Sequence, residues 1–256
     1  MAGHGNPRLG IAENIFGVKR IEVPVQFVFL GRAAHRAAPG ATLGLLLGGC
    51  GGRLSALDPA GPAADSTLTL FLVLLGLAAL SFVVIFGIFL LALRRNRSRQ
   101  VSLRLFIIGG GLVFPLVLLG FATVYGVVLG ERITGARDTP SLAITATAQQ
   151  WRWQFTRQSA GGSVARADIL DIPAGRTVAV MVTSTDVIHS FWVPRLAGKI
   201  DAIPGLTNRI LIRADVPGRY GGVCAEFCGT GHTRMDFTVV AHDAQAWAAL
   251  ETGGQP

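Results

Sequence analysis

At 256 residues, half of them apolar and only 15% charged, the chain carries too little charge for an ordinary soluble protein and has room for one or two domains. Its formal net charge of +8 is uneven: from Glu131 onward 12 Lys+Arg face 11 Asp+Glu, so the surplus lies in the first half, beside apolar runs. That placement argues against nucleic-acid binding, which needs a basic patch on a folded domain, and for membrane topology signals.

Residues Met1 to Leu30 show no clear period and carry no motif. Arg32 and Arg36 then precede a weakly apolar run, Ala37 to Gly49, that ends in Leu47-Gly-Gly-Cys50. Small residues before a Cys, after an apolar run, resemble a bacterial lipoprotein signal with Cys50 as the lipidated residue. The plainer reading is a short apolar segment with a free thiol. An ordinary secretory signal runs about 15–30 residues, so the expected translation start falls inside this stretch, with Val28 as a candidate. Leu54 to Ser66, with Pro59, Gly61 and Pro62, reads as a linker. The expected organisation is thus an extension and signal over 1–49 and a linker over 50–67.

Leu68–Leu93 and Leu105–Leu129 are uncharged runs of 26 and 25 residues. At about 1.5 Å per residue, either helix exceeds a hydrocarbon core of about 30 Å. Together they predict a transmembrane hairpin over 68–129. Between them, Arg94 to Arg104 holds five Arg and no acid, which places the loop in the cytoplasm and both outer ends in the periplasm. That side also suits a lipidated Cys50. Pro115 falls within the second span, where neighbouring helices can satisfy the freed carbonyl.

From about Ala143 the pattern changes to short β-type runs: Ala143–Phe155, Val164–Ile169, Thr177–Thr183, Arg209–Arg213 and Asp236–Ala241. Turn residues break them, which predicts an antiparallel sandwich or barrel over 140–256. Gln245–Glu251 fits a short terminal helix.

The chemistry gathers in Cys224-Ala-Glu-Phe-Cys228-Gly-Thr-Gly-His232-Thr-Arg-Met235, which holds two of three Cys and one of three Met. Thiolate, imidazole and thioether form a soft ligand set that selects copper or zinc, and the thioether favours copper. Gly221, Gly222, Gly229 and Gly231 read as a loop. A second loop, Thr185 to Pro194, supplies His189. Three other readings compete: a Cys224–Cys228 disulfide, a structural zinc site, and a mononuclear copper site with one surplus Cys. Only two thiolates shared between two coppers use every donor.

The complete C-x-E-x-C-x3-H-x2-M motif and the upstream H-S-x-x-V-P segment resemble subunit II of haem-copper cytochrome c oxidase, over roughly Ser55 to the C-terminus. The resemblance implies a two-helix hairpin followed by an all-β, cupredoxin-like Greek-key sandwich. It implies a dinuclear CuA centre of two copper ions, with Cys224 and Cys228 bridging and one ion each on His189 and His232. Met235 and the Glu226 carbonyl would complete the set. It also implies magnesium at the Glu226 side chain, shared with subunit I, and the segment Lys199 to Pro204 near that interface. A solvated turn is the plainer reading of Asp201.

By the same resemblance Gln150-Trp-Arg-Trp-Gln-Phe155 matches the family's aromatic stretch. Trp151 is there the electron entry from cytochrome c, and Trp153 fits a core position. The implied partners are subunits I and III, haem in subunit I, cytochrome c and the bacterial inner membrane. The sequence departs from the family at Arg152 and Thr185, and the near-neutral domain predicts weak electrostatic steering of the donor. Ile108 and Gly111 stand where the family carries a Glu and a Trp ahead of Pro115, which puts a proton-entry role in doubt. A membrane-tethered copper chaperone or store is the rival from another class. The quinol-oxidase form of the subunit, which carries no metal, is opposed by the intact ligand set.

Overall fold

The computed structural model describes residues 51–94, 102–134, 140 and 142–252. Cys50, the extension before it and most of the Arg-rich loop lie outside the described residues. Helix α1 spans Pro62–Arg94. The second span opens as a π-helix over Leu105–Val113 and continues as α2, Phe114–Thr134. The wide turns stop just before Pro115, which has no amide proton to donate. Phe82, Leu91, Phe106 and Val117 point outward, each about two-thirds exposed. A buried helix in a soluble core would hide such side chains; a lipid-facing one displays them.

The expected linker is corrected at its end, because α1 begins at Pro62 rather than Leu68. Proline suits a first helical position, where its missing amide is no loss. Ala63 and Ala64 of that first turn are buried, and Ala63 belongs to the core of the following domain.

That domain is two five-stranded sheets. In one the order is β3(Gly162–Ala167)-β2(Arg152–Ser159)-β1(Leu142–Gln149)-β5(Val178–Ser184)-β8(Asn208–Ile212). In the other it is β4(Ile169–Pro173)-β10(Asp236–His242)-β9(Gly218–Cys224)-β6(His189–Trp192)-β7(Lys199–Ala202). The expected sandwich is present, and within it two strand pairs run parallel: β1 with β5, and β10 with β4. Both parallel pairs join strands far apart in sequence, which local alternation cannot report.

Two runs expected as single strands are split. Ala143–Phe155 folds back at Gln150 and Trp151, so β1 and β2 form a hairpin. Val164–Ile169 breaks at Asp168, whose φ of 57° is left-handed and whose carboxylate accepts the Trp153 amide at 2.7 Å. The core between the sheets is aromatic. Trp153 and Phe191 are fully buried and meet edge-to-face at 5.7 Å, and Phe191 stacks on Phe237 at 4.9 Å. The core position expected for Trp153 is where it stands. Helix α3, Ala244–Glu251, closes the chain with Asp243 as its N-cap.

Candidate metal centre

Three adjacent strand ends build the site. Phe191 lies opposite Cys224, and Asp236 opposite Val223, so β6, β9 and β10 lie side by side. The Cys224 amide donates to the Met235 carbonyl at 3.0 Å, and the Ala225 amide to the Ser190 carbonyl at 2.9 Å. His189, Cys224 and Met235 are thereby fixed by sheet hydrogen bonds rather than by a free loop. This corrects one expectation. Gly221, Gly222 and Cys224 belong to strand β9, and the loop begins only after Cys224. A side chain at Gly222 would strike the Phe237 ring, so the glycine makes room for core packing.

The loop returns through Gly229, at φ 116°, and a 3₁₀ turn over His232–Arg234. It brings each thiol its own imidazole. Cys224 Sγ lies 3.8 Å from His189 Nδ1 and 3.3 Å from the Glu226 carbonyl oxygen. Cys228 Sγ lies 3.7 Å from His232 Nδ1 and 3.8 Å from Met235 Sδ. The two sulfurs are 3.8 Å apart, far beyond a disulfide bond of about 2.05 Å, and both cysteines are free. The disulfide reading is therefore set aside. His189, Cys224 and Cys228 are all buried, with ligand atoms within 4.8 Å of one another. The donor set is soft and close enough to hold a metal ion; all of it is buried except His232, which is partly exposed.

The surroundings orient those donors. Asp186 accepts from His189 Nε2 at 2.9 Å, which fixes the proton there and leaves the Nδ1 lone pair facing Cys224. The same carboxylate accepts the Val187 amide, and its other oxygen the Gln150 amide, both at 2.7 Å. Burial alone would raise this carboxyl, but the hydrogen bonds from Gln150, His189 and Val187 outweigh it and hold it at about 2, against an ordinary 3.8. Burial first, and the neighbouring Cys224 second, push the Cys228 thiol up to about 11. A metal held there would have to displace that proton, so its binding would strengthen as pH rises.

Trp151 occupies the hairpin turn rather than a strand. Its indole N–H donates to the Cys228 carbonyl at 3.2 Å, and Gln150 Nε2 donates to the same oxygen at 2.8 Å. A side chain at Gly231 would collide with the indole, so this glycine is the seat of the ring. Trp151 is still 39% exposed, which joins a ligand-bearing residue to the surface through one side chain. The Glu226 carboxylate lies 3.8 Å from Lys199 Nζ. Lys199 also pairs with Asp201 at 3.1 Å; through this hydrogen bond first, the Asp201 carboxyl is lowered. Asp201 is thus ion-paired rather than a merely solvated turn.

Asp186 and Gln150 are the residues that sequence reasoning did not assign to the site. The Asp-x-x-His spacing was the available signal for the first. Nothing local marks Gln150, whose bond to Cys228 spans 78 positions. His242, the last residue of β10, pairs with Asp171 at 2.8 Å.

Fold and site define a class: two helices long and apolar enough to cross a membrane, then a β-sandwich with a buried cluster of soft donors that could hold a metal ion. Residues 163–242 match the family model described as cytochrome C oxidase subunit II, periplasmic domain. The chain is 34% identical over 240 residues to cytochrome c oxidase subunit 2 of Alkalihalophilus pseudofirmus, covering 88% of this chain and 69% of that protein. It is 29% identical over 210 residues to quinol oxidase subunit 2 of Bacillus cereus, covering 77% and 72%. Among solved structures, the periplasmic domain of subunit II of cytochrome oxidase (CoxB) of Bradyrhizobium japonicum is 29% identical, with a TM-score of 0.41. That match covers 44% of this chain and 92% of the other. The chain belongs to the cytochrome c oxidase subunit II family, whose members are subunits of haem-copper oxidases, complexes that are oxidoreductases.

Proposed function

We propose that this chain is the electron-input subunit of a bacterial terminal oxidase. It accepts electrons singly from a cytochrome c and passes them to haem in subunit I, where oxygen is reduced to water. The observation that carries the reading is the pairing of donors: two buried thiols 3.8 Å apart, each with its own imidazole. Cys224, Cys228, His189, His232, Met235 and the Glu226 carbonyl would together hold a dinuclear CuA centre. Bound there, two copper ions supply a one-electron couple.

The chain's own residues do the rest. Strands β6, β9 and β10 hold the donors against rearrangement, and the aromatic core keeps water from the sulfurs. Asp186 fixes the His189 ring, and Trp151 gives the donor a surface contact one hydrogen bond from Cys228. The Glu226 side chain, beside Lys199, is the proposed protein ligand for magnesium at the interface with subunit I, in a complex that also contains subunit III. The working topology has Cys50 lipidated, the Arg-rich loop in the cytoplasm, and the region 140–256 in the periplasm. The spans 68–93 and 105–129 cross the inner membrane.

A copper chaperone or store fits less well. His189, Cys224, Cys228 and Met235 are at most 6% exposed, whereas metal exchange between proteins needs accessible donors. The test is copper content and EPR of the purified complex containing the full chain. Two coppers per subunit II sharing one delocalised electron are expected; a single blue-copper signal, or no copper, overturns the reading. In the same preparation, Trp151→Leu is expected to slow cytochrome c oxidation about tenfold with copper content unchanged.

A further inference from the structure

The residues ahead of α1 are built into the β domain. Ala60 donates its amide to the Arg195 carbonyl at 2.7 Å and accepts the Asp215 amide at 2.9 Å, so it bridges two turns of the domain. Arg195 holds Asp58 twice, through the Asp58 carbonyl at 2.8 Å and the carboxylate at 2.9 Å, and its guanidinium lies over the Tyr220 ring. The Ala64 amide, already in α1, donates to the Leu196 carbonyl at 3.3 Å.

Two glycines make this docking possible. A Cβ on Gly61 would collide with the Arg213 carbonyl and crowd the Leu196 carbonyl at 3.1 Å. A Cβ on Gly221 would meet Leu54 at 2.9 Å and the Arg53 carbonyl at 3.1 Å. Gly221 stands three residues before Cys224 on β9. The junction also borders the metal loop: a cavity of about 320 Å³ is lined by Ala56, by Ala64 and Thr67 of α1, and by Trp192, Lys199 and Ala225.

We propose that Arg53–Gly61 is a strap that fixes the height and orientation of the metal loop above the membrane, with Gly61 and Arg195 as its positioning residues. The proposal rests on the electron-input reading, since its consequence is a fixed distance from the metal loop to the acceptor in the partner subunit. A flexible linker of the same length would let the domain swing. Electron transfer over a gap slows exponentially as donor and acceptor separate, so a domain that swings away from its acceptor transfers more slowly.

The experiment uses the whole oxidase in nanodiscs, comparing wild type with Gly61→Val and with the milder Arg195→Gln. Amide hydrogen exchange at Ala60, Ala64 and Asp215 reads the strap; copper-to-haem electron transfer after photoreduction reads its consequence. Expected are slow exchange in wild type, exchange about tenfold faster or more in Gly61→Val, and unaltered protection in β1 and β5. Electron transfer should slow several-fold in Gly61→Val with the copper EPR signal intact.

Unprotected Ala60 and Asp215 amides in wild type overturn the strap. Loosened amides with an unchanged transfer rate overturn its positioning role. If Gly61→Val does not assemble, Arg195→Gln decides by the same two readouts. Absence of copper-to-haem transfer in wild type would sink the electron-input reading instead, and the exchange data would still judge the strap.

Discussion

Among the described residues the β domain contains two histidine–aspartate pairs of nearly equal length, and strand β10 leads from one to the other. Beside the metal loop, His189 Nε2 meets Asp186 at 2.9 Å; at the far end of β10, His242 Nε2 meets Asp171 at 2.8 Å. What differs is the other side of each ring and carboxylate. His189 turns its remaining nitrogen to a thiol, while Asp186 accepts the Gln150 amide of the hairpin that carries Trp151. Asp171 instead also binds Arg166 at 2.7 Å, and His242 faces Trp247 of α3. Arg157 lies over that Trp and donates to the Leu250 carbonyl at the end of the helix. One pair leaves an unused lone pair aimed at soft ligands; the other is saturated by charge and clamps the terminal helix. The same contact positions a ligand at one end and closes the fold at the other.

Substitutions can break that contrast. Cys228→Ser should have the largest effect, lowering copper below two per subunit and cutting cytochrome c oxidation by more than the roughly 10–100-fold that supporting residues command. Metal analysis with steady-state oxygen uptake checks it. Asp171→Asn removes the charge shared by Arg166 and His242 and should cost about 2–3 kcal/mol of stability in thermal unfolding, with the copper spectrum unchanged.

Asp186→Asn should do the converse, weakening copper retention about tenfold against a chelator with a smaller loss of stability. Its acid behaviour carries a sign. The carboxyl sits at about 2 when folded against 3.8 otherwise, so its stabilisation is complete above about pH 4 and is lost as pH falls toward 2. The substitution should flatten the pH dependence of unfolding in that window. If Asp171→Asn stripped copper and Asp186→Asn did not, the two assignments would be reversed. The smallest expected effect is that of salt. With the domain near neutral, raising ionic strength from about 0.02 to 0.2 M should change donor-driven turnover less than about threefold. A steep dependence would show that charge guides docking after all.

Much of this site could be read without coordinates, for a chemical reason. Cys, His and Met are scarce residues whose ligand chemistry is carried by the side chain itself, so their clustering over Cys224–Met235 announces a soft-metal loop in one dimension. Long uncharged runs announce membrane helices in the same way, because lipid demands a minimum apolar length. Hydrogen-bond partners are not legible like this. Gln150, Asp186 and Arg195 are common residue types in ordinary positions, and each acquires its role from a contact that the sequence does not mark.

The sequence by itself determined the donor set, the hairpin and the β character of the second half, because residue type and periodicity suffice for these. Tertiary structure alone decided that β9 carries Cys224, that two strand pairs run parallel, and that each thiol has its own imidazole. It also turned an expected linker into a docked segment. Pro59, Gly61 and Pro62 look like breakers in a string of letters. In three dimensions the missing side chain of Gly61 admits two carbonyl oxygens, and close packing between distant segments is a property no local pattern encodes.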